Sequence, residues 1–191
     1  MITIATMETP PSRTLPSIED VLTFWFADPG RWWKRDAAFD AQIRSRFLAL
    51  HDAVERDERD DWLETARGAL AYVIVLDQFS RNMFRDSARM FESDARALAA
   101  ARRALDRAFD RGLSGDERMF LYMPFMHSED IADQDRGVGL FGSALQDYLS
   151  FAEQHRDIVR RFGRFPHRNA LLGRQSTSEE LEFLKQPGSS F

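Results

Sequence analysis

Thr65-Ala-Arg-Gly-Ala-Leu-Ala-Tyr-Val-Ile-Val-Leu-Asp-Gln-Phe79 departs from the amphipathic pattern around it, because every residue from Ala69 to Leu76 is apolar. A run that is apolar on all sides belongs inside a core. Val73, Ile74 and Val75 would suit a strand. Context favours helix: the run continues helix-forming Ala and Leu from upstream, and no second strand-like run exists to pair with it. A central buried helix is expected, and with it an all-α fold.

Helical spacing continues on both sides. Ser17 and Asp20 resemble a capping box in front of an apolar face of Ile18, Val21, Leu22 and Trp25, which Asp28-Pro-Gly30 ends. Asp36 caps a second helix with the stripe Phe39, Ile43, Phe47, Leu50 and Val54. Its opposite face carries Gln42, Arg44, Arg46, Glu55 and Arg56, and His51 reads as solvated there. Ser93 is placed to cap a helix with inner residues Leu98, Ala101, Leu105 and Phe109, ending near Gly112. The helix over 116–126 is expected to kink or stop at Pro124. Ser128, with Glu129 and Asp130 behind it, opens the next, through Leu140, Leu145 and Leu149. Gly137, Gly139 and Gly142 weaken that helix locally and permit close contact with a neighbour. Shorter helices follow over 151–162, from Phe165-Pro166 to Gly173, and over 178–185 behind the capping box Thr177–Glu180.

The resulting organisation is a disordered leader (1–16, with Pro10, Pro11 and Pro16), one all-helical domain (17–185) and a flexible tail (186–191). One domain suits 191 residues, a length that buries about 70% of the unfolded surface without staples. The absence of cysteine excludes disulfides, thiolate metal sites and cysteine nucleophiles. With 26 basic against 31 acidic residues, the surface does not suit nucleic acid. No apolar run approaches the roughly 20 residues of a membrane span, and no secretory signal is visible. The expectation is a cytoplasmic protein without nucleic-acid or membrane partners.

Two segments carry polar groups where a plain helix would not. In Asp77-Gln-Phe-Ser-Arg-Asn-Met-Phe-Arg85, Asp77 and Arg81 stand four apart, and Asp77, Arg81 and Asn82 directly follow the core run. Groups so close to a core must be hydrogen-bonded or line a cavity. They either tie the buried helix to its neighbours or bind a ligand. In Arg160-Arg-Phe-Gly-Arg-Phe-Pro-His-Arg-Asn169, Pro166 suits the first position of a helix. Arg164, Arg168 and Arg174 then gather near a helix start, where cations are disfavoured unless an anion accompanies them. That anion is either internal, with Glu129 or Asp77 as candidates, or a bound carboxylate or phosphate.

His127, His155 and His167 with Glu129 show no recognised ligand spacing, so neither a metal nor another cofactor is expected. His127 or His167 beside Glu129 suits general acid–base work, since histidine titrates near neutral pH. The tryptophans Trp25, Trp32, Trp33 and Trp62 read as core packing rather than base-stacking groups.

Taken together, Phe24-Trp-Phe26 with Trp32-Trp33, Leu76-Asp-Gln-Phe-x-Arg-Asn-x-Phe-Arg85, Tyr122-x-Pro-Phe-x-His-Ser-Glu129 and Arg161-Phe-Gly-Arg-Phe-Pro-His-Arg-Asn-x-x-Leu-Gly-Arg174 with Thr177 resemble the bacterial DUF924 family. Ser80 stands where that family often has proline. The resemblance implies an all-helical fold similar to tetratricopeptide-like superhelices, although no tetratricopeptide signature is present, and it implies no activity. Three functions remain open. One is a pocket for a small anionic molecule or peptide carboxylate, with Asp77, Arg81, Asn82, Arg164, Arg168, Asn169 and Arg174 as its binding residues. Another is a hydrolase or lyase with His127, Glu129 and His167 as catalytic groups. The last is a helical scaffold for a protein partner.

Overall fold

Ser17 closes a capping box: the Asp20 N–H donates to Ser17 Oγ at 3.2 Å, and the Ser17 N–H to Asp20 Oδ2 at 2.8 Å. Two backbone donors are thereby satisfied locally, and helix α1 (Ile18–Phe26) begins there. The computed structural model describes residues 14–190, so the leader expected over 1–16 lies almost wholly outside the described residues. All regular structure among the described residues is helical. After α1 come α2 (Ala37–Glu55), α3 (Ala66–Val73), α4 (Ser80–Met83), α5 (Asp94–Asp106), α6 (Gly115–His127), α7 (Ile131–Ala144), α8 (Leu149–Phe162) and α9 (Ser178–Phe183), most of them linked by short 3-10 turns. The Thr177–Glu180 box starts α9 in the same manner as Ser17 starts α1.

The apolar run is the centre of the molecule. Ala69 to Leu76 are buried to within 2%, and α3 packs against α1, α5 and α6. Each large side chain so buried contributes about 1.5–3 kcal/mol relative to exposure. Around it Phe24, Trp25, Phe39, Phe47, Phe79 and Phe120 form a continuous ring cluster with centroids 4.7–6.2 Å apart. Trp32 closes its edge and donates its indole N–H to the Trp25 carbonyl at 2.8 Å. The tryptophans therefore pack, with Trp33 as the exposed outlier.

Between α3 and α4 the helix widens into a π segment, Ile74–Phe79, so residues 66–83 form one helical stretch with an irregular middle. π segments hydrogen-bond i→i+5, are rare, and concentrate at functional sites. Asp77 lies in this one.

Several local expectations are corrected. Of the kink or stop expected at Pro124, the stop does not occur: α6 continues one turn to His127. The C-terminal carbonyls of that turn are taken up from outside: Gln134 Nε2 donates to the Met126 and Ser128 oxygens at 2.7 and 2.6 Å. Asp130, not Ser128, caps α7, by accepting from the Ala132 and Asp133 N–H groups. The path through Leu140 to Leu149 is two helices, since Leu145 has left helical geometry. Ser93 makes no capping bond; its buried hydroxyl donates instead to Glu55 Oε1 at 2.9 Å. His51 is wholly buried rather than solvated, because α4 covers it with Ser80. Gly137 does provide a close helix contact: a Cβ there would lie 3.2 Å from Phe125 Cβ.

Gly68 is the tightest glycine. A Cβ at this position would meet the Trp62 carbonyl oxygen at 2.1 Å. Because the obstacle is backbone, Gly68→Ala should cost about 1–3 kcal/mol by overpacking, read as a lower urea midpoint with an unchanged slope.

Candidate functional site

Asp77 is fully buried in the π segment, and three donors meet it. Gln78 Nε2 donates to Oδ2 at 2.6 Å. His127 Nδ1 and Arg81 Nη1 lie 2.7 and 3.2 Å from Oδ1. Burial pushes the carboxyl pKa up, and Arg81 and His127 more than offset it, so Asp77 remains ionised well below the ordinary carboxylate range. An ionised carboxylate only accepts, which assigns the proton to His127 Nδ1. Burial, and then the Arg81 charge, holds His127 below its usual pKa. At neutral pH the ring is therefore uncharged, with its lone pair on Nε2.

Asp94, at the start of α5, joins the second segment to the first. It accepts from Arg81 Nη1 and Nη2 at 2.9 and 3.1 Å, and from Arg168 Nη1 at 3.1 Å. Arg168 Nη2 donates to the His127 carbonyl at 3.0 Å, a cation on the negative end of α6. Its guanidinium is sandwiched between Phe91 and Phe165, each centroid 4.6 Å away. Burial, together with the repulsion of Arg81, outweighs Asp94 and lowers the Arg168 pKa to about 10. Arg168 is thus a cation whose surroundings do not fully compensate it.

These groups border a cleft of about 420 Å³. Its polar lining is Glu92, Asp94, His127, Ser128, Glu129 and Arg168, and its apolar lining is Ala88, Phe91, Ala95, Leu98, Pro124 and Leu172. An apolar hollow with a few convergent polar groups is the usual build of a small-molecule site. A hollow of similar size beside Trp32, Arg67 and Glu117 contains none of the histidines.

The remaining sequence candidates disperse. Arg164 pairs with Glu180 at 2.7 Å, and Asn169 Nδ2 donates to Ser176 Oγ at 3.0 Å. Asn82 Nδ2 donates to Asp40 Oδ1 at 2.7 Å, which ties α4 to α2. Arg174 forms a two-pronged pair with Glu129 at 2.7 and 2.9 Å. Glu129 also accepts the Phe165 N–H at 2.7 Å. The helix expected from Pro166 is a single 3-10 turn, Pro166–Arg168. The anion demanded at its start is therefore the protein's own Glu129. Although half-burial raises the Glu129 pKa, Arg174 and the Phe165 N–H pull it below the ordinary value. Glu129 is thus a fixed carboxylate rather than a proton donor near neutrality.

His155 and His167 flank the site: the His127 and His155 rings are 6.3 Å apart, and the Phe165 ring lies 5.8 Å from His155 and 5.5 Å from His167. His155 Nδ1 donates to the Phe151 carbonyl at 2.7 Å. Sequence reasoning missed Asp94 and Phe91. Asp94 pairs across 13 and 74 residues, and an acidic residue in a first helical turn gives no hint of that.

The paired Asp77-Gln78, Arg81, His127 and Arg168 are the quoted motif residues seen in space, and the family model covers the chain from residue 21 to 188. The chain belongs to the DUF924 family. That family is described as bacterial protein of unknown function. Among solved structures, the DUF924 chain is similar to ATU0120, a protein of unknown function from Agrobacterium tumefaciens, at 47% identity with a TM-score of 0.85. The match covers 88% of this chain and 96% of that one. No curated protein matches it. Among the described residues no helix is long and apolar enough to cross a membrane.

Proposed function

We propose that the cleft binds a small, largely apolar molecule bearing one carboxylate or similar oxyanion, and that His127 exchanges a proton with it. The observation that carries this reading is the juxtaposition of a neutral, Asp77-oriented His127 with an undercompensated Arg168 on one cleft. Arg168 has guanidinium N–H groups beyond the two already engaged, and these suit an oxyanion. His127 Nε2 is a proton acceptor whose orientation is set by its other nitrogen, the relation a histidine base requires of its supporting carboxylate. Arg81, behind Asp77 and Asp94, acts through them as a positioning residue.

The reaction class this supports is hydrolysis or elimination with His127 as base. Glu129 and His167 are not required as proton carriers. The bare scaffold reading has less support, since the large exposed apolar residues Trp33, Ile131, Phe151, Leu172 and Leu181 fall on five separate stretches of chain.

Ala95 offers a test that spares the core, because it lines the cleft yet is exposed on α5. Ala95→Trp should fill the cleft, leave the unfolding free energy within about 0.5 kcal/mol of wild type, and abolish the thermal shifts produced by small aryl and alkyl carboxylates. His127→Gln should leave that binding in place and remove any turnover of those ligands. If no carboxylate shifts the wild-type transition, or Ala95→Trp responds equally, the reading is wrong.

A further inference from the structure

Away from the cleft, His51 on α2 is wholly buried, and its Nδ1 has no hydrogen-bond partner among the described residues. Its Nε2 lies 2.7 Å from Ser80 Oγ. Facing Nδ1 are two carboxylates of the same helix, Glu55 Oε2 at 3.5 Å and Asp52 Oδ1 at 3.9 Å. The three ligand atoms lie within 4.8 Å of one another. If Nε2–H donates to Ser80, as outer-shell geometry in metal sites usually has it, the Nδ1 lone pair points at two negative groups. In that tautomer three electron-rich atoms converge on one point, a placement that suits a cation.

Arg89 supplies part of that charge from outside. Its Nη2 is 3.0 Å from Asp52 Oδ1 and 3.8 Å from Glu55 Oε2, and its guanidinium rests on Phe84. It does not reach between the carboxylates and the imidazole in a way that satisfies Nδ1. Asp52, Glu55 and Arg89 are each 30–40% exposed, so the outer side of the cluster is open to exchange.

We propose that His51, Asp52 and Glu55 form a binding site for one divalent transition ion, with Arg89 as the cation that occupies its outer edge in the absence of metal. One imidazole nitrogen with two carboxylate oxygens favours zinc- or manganese-type ions over magnesium or calcium, which prefer all-oxygen shells. A tetrahedral shell at bond lengths near 2.1 Å spaces its ligands roughly 3.4 Å apart. The existing separations reach that value by small rotations of the two part-exposed carboxylates while the buried imidazole stays fixed. The fourth position faces outward, where Arg89 must swing aside. Ser80 and Ser93 serve the outer shell: Ser80 holds the imidazole, and Ser93 donates to Glu55 Oε1.

The test is calorimetric titration of the full, tag-free chain with Zn2+, with Mg2+ as the contrasting ion. One Zn2+ should bind per chain, and Asp52→Asn and Glu55→Gln should each weaken it at least about tenfold. Arg89→Gln should tighten binding, since it removes the competing cation. Mn2+ added to the wild-type chain should broaden the His51 ring resonances before those of His127, His155 and His167, a readout that depends on no variant. The proposal is overturned if Zn2+ does not bind, if both carboxylate variants bind it as wild type does, or if Mn2+ broadening centres on the cleft histidines.

Discussion

Replacing Asp77 by alanine should lower stability by about 3–5 kcal/mol, a fall in Tm on the order of 10 °C for a domain of this size. The side chain is fully buried, and its removal leaves Arg81 in the interior with only Asp94 to pair with. It also strands the His127 Nδ1–H and the Gln78 amide. A buried charge deprived of its partner costs far more than the net contribution of the pair. By contrast Arg161→Ala, which breaks the exposed Arg161–Glu179 pair, should change stability by no more than about 1 kcal/mol. Urea denaturation of both variants makes the comparison. Equal and small effects would mean that the Asp77 network is not the electrostatic keystone described here.

Acidification should be the other large effect, and it should come early. Burial lowers the pKa of His155 to about 3 and of His167 to about 4, and lowers those of His51 and His127 as well. In the unfolded chain each histidine returns to about 6.5. Between the two values the unfolded state binds more protons, so the stabilisation is complete above about pH 6.5 and is lost as pH falls toward the folded values. Each such histidine contributes a slope of about 1.4 kcal/mol per pH unit. His155 and His167 alone should therefore remove roughly 4 kcal/mol between pH 6.5 and 4.5. The carboxylates with lowered pKa, Asp77 and Glu129 among them, add their losses only below about pH 4. Chemical denaturation at half-unit intervals from pH 7.5 to 4.5 tests the sign and the window. A flat profile between pH 7 and 5 would show that the histidines are not buried neutral.

What could be read from the sequence was whatever depends on near neighbours. Capping boxes at Ser17 and Thr177, the apolar stripe of α2 and the all-apolar run of α3 act within about one or two turns, and each appears where its spacing predicts. The misreadings share a cause. His51 sits on a face that is polar by composition, yet it is buried because α4, some 29 residues later, lies across it. Ser93 is a good cap by type but is diverted by Glu55, from 38 residues away. Pro124 does not end α6, because Gln134 and Arg168 supply donors to the carbonyls of the turn beyond it.

The same distinction governs the site. The rarity of Asp77 and Arg81 directly behind a core run, and the arginine-rich turn after Gly163, were visible as local anomalies. Of the acids that answer those arginines, Glu129 was among the candidates and does pair with Arg174, whereas Asp94 and Glu180 were not foreseen, because their contacts depend on the whole fold. Arginine surplus in a short window therefore says little about net charge in space, and the cleft beside Arg168 is the feature that only the structure supplies.

Asp77, at 2.7 Å from His127 Nδ1, is expected to hold that ring as a neutral base whose Nε2 serves the cleft. Long-range 1H–15N correlation of the histidine rings at pH 7 reads that state directly. A neutral His127 with its proton on Nδ1 is expected, and a change in its Nε2 resonance when a small carboxylate is added. A doubly protonated His127 at pH 7, or a neutral ring protonated on Nε2, would contradict it.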